Sequence, residues 1–278
     1  MCSGSPQTLV GCVSICMSQL MHYWKYPDAA LGGYQSYNDP PGENPSFGNI
    51  STTFGTSYDW YSMENSGAEE DTQRLLFEAG VAVHMNYDYD GSGAYMDDAR
   101  FALKDHFDYE STSGGYPISR NKSAYSDANW ENLIKNELDS GKPIIHSGCS
   151  DSGCHAWNLD GYDEDNYVHM NLGWGGYSTG YYSLENISAG GDLYNSSLYI
   201  IEDINPADLT VPNLNLVEVN YSEASGSGDN GGQGGYATGD LAVTPGQSIY
   251  IYVGGEGTLT PTGNDNGCYG GFNGGGNG

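Results

Sequence analysis

The chain has 278 residues, long enough for one large domain or two smaller ones and for a core that needs no disulfide staples. Thirty-six acidic against eight basic residues give a formal charge of −28, which repels phosphate backbones and anionic membranes and argues against nucleic-acid binding. No run reaches the roughly eighteen apolar residues of a membrane-spanning helix, and the first residues lack the basic-then-apolar pattern of a secretory signal.

Val13, Met17, Leu20, Met21 and Trp24 recur at helical spacing, so a buried helix is predicted from about Cys12, stopping before Pro27. Residues 32–49 are rich in Gly, Pro and Asn and read as a long loop. A second helix is expected at about 69–79, with Leu75, Leu76 and Ala79 apolar and Gly80 as its C-cap, and the stretch "GVAVHMNY" that begins there reads as a strand. A third helix is expected near 96–106. A fourth is bracketed by Ser126 as N-cap and Gly141 as terminator, with Trp130, Leu133, Ile134 and Leu138 on one face.

From Pro143 the period becomes that of strands: "PIIHSG", "HAWNLDGYD", "NYVHMNLGW", "GYYSL" and "SLYIIEDI" are β-branched or aromatic and separated by Gly, Asp and Asn. Helices first and strands second is an α+β order. This places a main domain at residues 1–204 and a linker at 205–221, around Pro206 and Pro212. A Gly-rich β module follows at 222–278, with strands expected at 240–244 and 248–253.

Six cysteines are too few and too scattered for a disulfide scaffold. Cys12 stands at the first turn of a helix, where unpaired N–H groups and the helix dipole favour a thiolate, and Gly11 before it allows close approach. Cys16 lies one turn further in, where that field has faded. A thiolate nucleophile needs a histidine, and the histidine needs an orienting partner. His155 opens a strand after "SDSGC", and Asn171 lies beside the turn "LGWGG". His155 follows Cys12 by 143 positions and Asn171 follows it by 159, close to the roughly 130–150 residues that separate these groups in papain-like enzymes. Two metal readings compete. Residues 86–97 fit the ligand pattern of a calcium loop but lack an entering helix. Cys149, Cys154 and His155 could gather a zinc, although a Cys149–Cys154 disulfide is the better reading in an oxidising compartment.

On these residues the sequence resembles the streptopain family of secreted bacterial cysteine peptidases. The blocks that carry the resemblance are "GCVSICMSQLMHYWKYP", "LLFEAGVAVHMNYDYDGSGAY", "LIKNELDSGKPIIHSG", "CHAWNLDGYD" and "YVHMNLGWGGYSTGYYSL". The resemblance implies a papain-like fold and an extracellular endopeptidase with no cofactor and no metal. It makes Cys12 the nucleophile, His155 general base and then acid, Asn171 the orienter, Trp174 a cover over the His–Asn pair, and protein or peptide the substrate. His169 receives no role. The family's second oxyanion donor is a glutamine well upstream of the cysteine, for which Gln7 is a poor substitute, so the chain is expected to be cut short at its N-terminus. Leu172 stands where the family usually has a tryptophan, which suggests a less firmly held His155. An impaired, peptidase-like binding module is the alternative these departures favour. The module at 222–278 is similar to the Gly-rich extracellular region of anaplastic-lymphoma-kinase-type receptors, which implies cell-surface or matrix contact without membrane insertion.

Overall fold

The computed structural model of the protein describes residues 8–39, 46–63 and 69–208, together with two short strands at Thr258–Leu259 and Cys268–Tyr269. Contacts divide the chain into two units, Met1–Asp208 and Leu209–Gly278. The first unit opens with helix α1, Cys12–Trp24, which buries Val13, Cys16, Met17, Leu20 and Met21 and stops where Lys25 turns left-handed. An exposed hairpin follows, β1 (Tyr34–Asn38) against β2 (Asn49–Thr53). Three more helices are α2 (Glu70–Ala82), α3 (Met96–Asp105) and α4 (Asp127–Asp139), with β3 (Tyr109–Glu110) and β4 (Ile118–Asn121) between α3 and α4. The chain then forms β5 (Ile144–Cys149), β6 (Cys154–Tyr162), β7 (Val168–Asn171) and β8 (Gly180–Tyr182). It closes with the short pair β9 (Ser188–Ala189) and β10 (Asp192–Leu193), the long β11 (Ser196–Glu202) and β12 (Asn205–Pro206), which pairs with β3.

Six of these strands make one antiparallel sheet in the order β4-β11-β5-β6-β7-β8. Period-2 alternation sends its side chains to two cores. Ile145, Ala156 and Ile201 join Met17, Leu20, Met21, Leu75 and Leu103 in the helical core. Ile144, Trp157, Leu159, Met170 and Ile200 join Trp130 and Ile134 of α4 in the second. Each large apolar side chain so buried is worth about 1.5–3 kcal/mol relative to exposure. Strand β6 therefore has α1 on one face and α4 on the other, which brings the Cys12 helix to the strand that carries His155.

Three local expectations are corrected. The 32–49 stretch contains β1 because Tyr37 is buried and its hydroxyl donates to the Met85 carbonyl at 2.5 Å. Helix α2 runs past Gly80 to Ala82 and is capped at Val83; burial of Val81 and Val83 outweighs the ~1 kcal/mol that an interior glycine costs. The "GVAVHMNY" stretch is accordingly the end of a helix and a turn, with an isolated bridge from Asn86 to Gly93. Ser126 does cap α4, its side chain accepting from Asn129 N–H. In the second unit Thr258–Leu259 pairs antiparallel with Cys268–Tyr269, and the strands expected at 240–244 and 248–253 lie outside the described residues.

Candidate active site

The approach to Cys12 is built by the turn at 88–92. Leu9 N–H donates to the Asp88 carbonyl at 3.1 Å, and Ser92 Oγ donates to the Leu9 carbonyl at 2.5 Å. Gly11 has φ +91°, and a Cβ there would stand 2.5 Å from Met85 Sδ and 3.3 Å from the Ser92 carbonyl. Only glycine lets the chain pass this turn and enter α1. Cys12 is half-buried at the helix start. Burial pushes its thiol up, while the main-chain N–H groups of Ala156, Val13 and Cys12 itself pull the other way by stabilising the sulfur anion. Cys16 is fully buried, and burial together with the charge at Cys12 holds its thiol well above the ordinary range. One cysteine faces donors at a helix end; the other is packed.

His155 is the second residue of β6. Its Nε2 lies 2.8 Å from the Leu172 carbonyl oxygen, an acceptor without a proton of its own, so Nε2 carries the proton and Nδ1 presents a lone pair. Burial lowers the imidazole pKa, opposed by that carbonyl. Trp174 stacks on the ring at 4.6 Å and 29°, and Trp157 at 6.0 Å and 26°. Ala156, the residue next to His155, lies in the core against which Cys12 packs, and its main chain favours the Cys12 thiolate. Nucleophile and base candidates thus converge on the start of one strand.

Asn171 is placed differently from the expectation. Its Oδ1 accepts from Gly173 N–H at 3.1 Å and from Gln19 Nε2 at 3.4 Å, and the partner of the imidazole is the main chain of Leu172. The weaker hold expected from leucine does not follow, since a carbonyl does the holding and the Leu172 side chain is fully buried in the second core. Composition and spacing did not point to Leu172 as a partner because every residue has a carbonyl. The sequence does carry a signal for Gln19, which lies seven residues after Cys12 and three after Cys16, on the helix face of the nucleophile.

Cys149 and Cys154 are joined in a disulfide across the end of the β5–β6 hairpin, beside His155, and so do not serve as zinc thiolates. Ser152 and Ser150 of the closed loop donate to the Asp192 carboxylate at 2.7 and 3.3 Å. Among the described residues no group of three or more His, Cys, Asp or Glu side chains is placed to hold a metal ion. His169 is engaged elsewhere, its Nδ1 2.5 Å from Asp160 Oδ1 and its ring against Tyr181.

Known proteins resemble this chain over most of the first unit. The profile of the peptidase C10 family matches residues 2–182, a span that includes Cys12, His155, Asn171 and Trp174. The chain is 28% identical over 222 residues to the thiol protease/hemagglutinin PrtT of Porphyromonas gingivalis, covering 75% of this chain and 25% of that protein. It is 33% identical over 190 residues to streptopain of Streptococcus pyogenes, covering 64% and 46%. The chain therefore spans a quarter to about half of the length of these relatives. Among solved structures, the active wild-type interpain A cysteine protease of Prevotella intermedia superposes with a TM-score of 0.62 at 29% identity, over 72% of this chain and 85% of that one. A fragment of prointerpain A from the same organism gives 0.58 at 28% identity, over 72% and 64%. On the family match, and with the α+β architecture shared with interpain A, the chain belongs to the peptidase C10 family.

Proposed function

We propose that this chain is an extracellular cysteine endopeptidase that cleaves peptide bonds through an acyl-enzyme on Cys12. The observation that carries the reading is the convergence on β6: Cys12, at the start of the helix that packs on this strand, lies against the core that contains Ala156, and the adjacent His155 has its Nε2 proton bound by the Leu172 carbonyl. Nδ1 of that tautomer accepts the thiol proton as sulfur adds to the substrate carbonyl. The oxyanion formed is met by the Cys12 N–H at the helix start, a donor of the kind whose loss costs about 10²–10³ in turnover. Collapse expels the amine, which takes the proton back from His155. Water then enters, gives its proton to Nδ1 and releases the acid. Trp174 covers the imidazole and strengthens its hydrogen bond by excluding water.

The extracellular placement rests on the Cys149–Cys154 disulfide and the acidic composition. The linker expected from residue 205 starts later, because Asn205 and Pro206 pair with β3 inside the first unit, which ends at Asp208; residues 209–221 would link it to the Gly-rich segment at 222–278, which serves in this reading as a spacer or adhesive element at a cell surface or matrix. A peptide-based thiol-reactive probe tests the enzyme reading. It labels Cys12 in the native chain, and Cys12→Ser loses both labelling and hydrolysis. Cys16→Ser retains activity with a stability loss of about 1–2 kcal/mol. Equal loss of activity in both variants, or an unlabelled native chain, overturns the assignment.

A further inference from the structure

Helix α1 and the turn after β7 are distant in sequence, and three side-chain amides join them. Asn158 Nδ2 donates to the Cys16 carbonyl at 3.1 Å and to Gln19 Oε1 at 2.9 Å. Gln19 Nε2 donates to Asn171 Oδ1 at 3.4 Å, and the same oxygen takes the Gly173 N–H at 3.1 Å. Asn158 is 5% exposed and stands three residues beyond His155 in β6. One end of this relay grips the Cys12 helix one turn past the nucleophile. The other end bridges Asn171 to Gly173 and so spans Leu172, the residue whose carbonyl holds His155. Unlike apolar packing, amides fix direction: each offers a carbonyl on one side and an NH₂ on the other, and a buried amide left unpaired costs about 1–3 kcal/mol.

We propose that Gln19 and Asn158 are positioning residues that set the nucleophile helix and the Leu172 carbonyl relative to each other, so that His155 is held in register with Cys12. The proposal rests on the peptidase reading above. It recasts Asn171 as the pin of the turn, acting on the imidazole through the main chain of the next residue. Misplacement of reacting groups by about 1 Å can reduce rate about 10²-fold, so the relay has leverage out of proportion to its four hydrogen bonds.

The test uses the full chain carrying Gln19→Leu, Asn158→Leu, Asn171→Ala and, as an isosteric variant that keeps the bond from Asn158 but loses the N–H to Asn171, Gln19→Glu. Three quantities are measured: kcat and KM separately, melting temperature, and the pH dependence of Cys12 alkylation by iodoacetamide. The expected result is a fall in kcat of about tenfold to a hundredfold with KM little changed, and an alkylation profile displaced from that of the native chain. The double variant Gln19→Leu with Asn171→Ala loses no more than the worse single variant, because both break one relay. A folded Gln19→Glu with native kcat and a native alkylation profile overturns the proposal, as do losses that simply multiply in the double variant. A native chain that neither labels nor hydrolyses sinks the peptidase reading and takes this one with it. A native chain that does both while the variants match it sinks the relay alone.

Discussion

At the scale of single residues, two histidines respond to acid in separable ways. His146 is fully buried between Trp130 and Trp157, with neither ring nitrogen hydrogen-bonded among the described residues, and burial holds its pKa down at about 3. The unfolded chain, with an ordinary value near 6.5, binds a proton that the folded chain refuses. The stability tied to this group is therefore complete above about pH 6.5 and falls as pH drops toward 3, by roughly 1.4 kcal/mol per pH unit. His146→Phe, which keeps an aromatic ring between the two indoles, should flatten the fall of melting temperature between about pH 6 and pH 4; an unchanged slope would show that other groups set it. In the proposed mechanism His155 governs activity instead. Burial lowers its pKa, so the base stays unprotonated below the ordinary histidine range, and the acid limb of kcat/KM should lie below about 6.5. Because His146→Phe removes the stability effect alone, that limb should be the same in the variant and the native chain.

The element that brings the stacking ring onto His155 is the short β9–β10 hairpin. Gly190 in its turn has φ +63°, and a Cβ there would stand 2.8 Å from Trp174 Cζ3 and 3.0 Å from Cη2. The hairpin backbone thus rests on the indole that stacks on His155, while Asp192 at the start of β10 accepts from both serines of the disulfide loop. Gly190→Ala should force the indole aside and lower kcat/KM by about tenfold or more, with a change in tryptophan fluorescence; native activity in the folded variant would deny the hairpin this role. Helix α4 offers a contrast, since it touches the site only through the second core. Ser126→Ala should cost about 1 kcal/mol through loss of the N-cap bond, read as a lower melting temperature with kcat unchanged.

Over the whole molecule, charge is the dominant imbalance. Seven of the eight basic side chains already pair with a carboxylate, and the remaining one, Lys25, lies over the Tyr61 ring. The excess carboxylates have no cations left to meet and repel one another through solvent. Screening this repulsion should outweigh weakening of the surface pairs, which are worth only about 0–1 kcal/mol each. Melting temperature is therefore expected to rise between about 10 mM and 0.2 M sodium chloride, over which the screening length shortens severalfold. A fall over that range would mean that the ion pairs matter more than the net charge.

What the sequence determined by itself was local. The period of Val13, Met17, Leu20 and Met21 specified α1, Ser126 and Gly141 bracketed α4, and the β-branched runs after Pro143 specified the sheet strands, because propensity, periodicity and caps act over a few neighbouring residues. The five quoted blocks were enough to point to the family. Other features were decided by tertiary structure. Burial of Tyr37 made a hairpin out of a Gly-rich loop, and packing of Val81 and Val83 carried α2 through Gly80. The hold on His155 came from a main-chain carbonyl, a group that every residue possesses and no composition reveals. Only the folding of α1 against β6 and the turn after β7 selects which carbonyl it is, and which amides aim it.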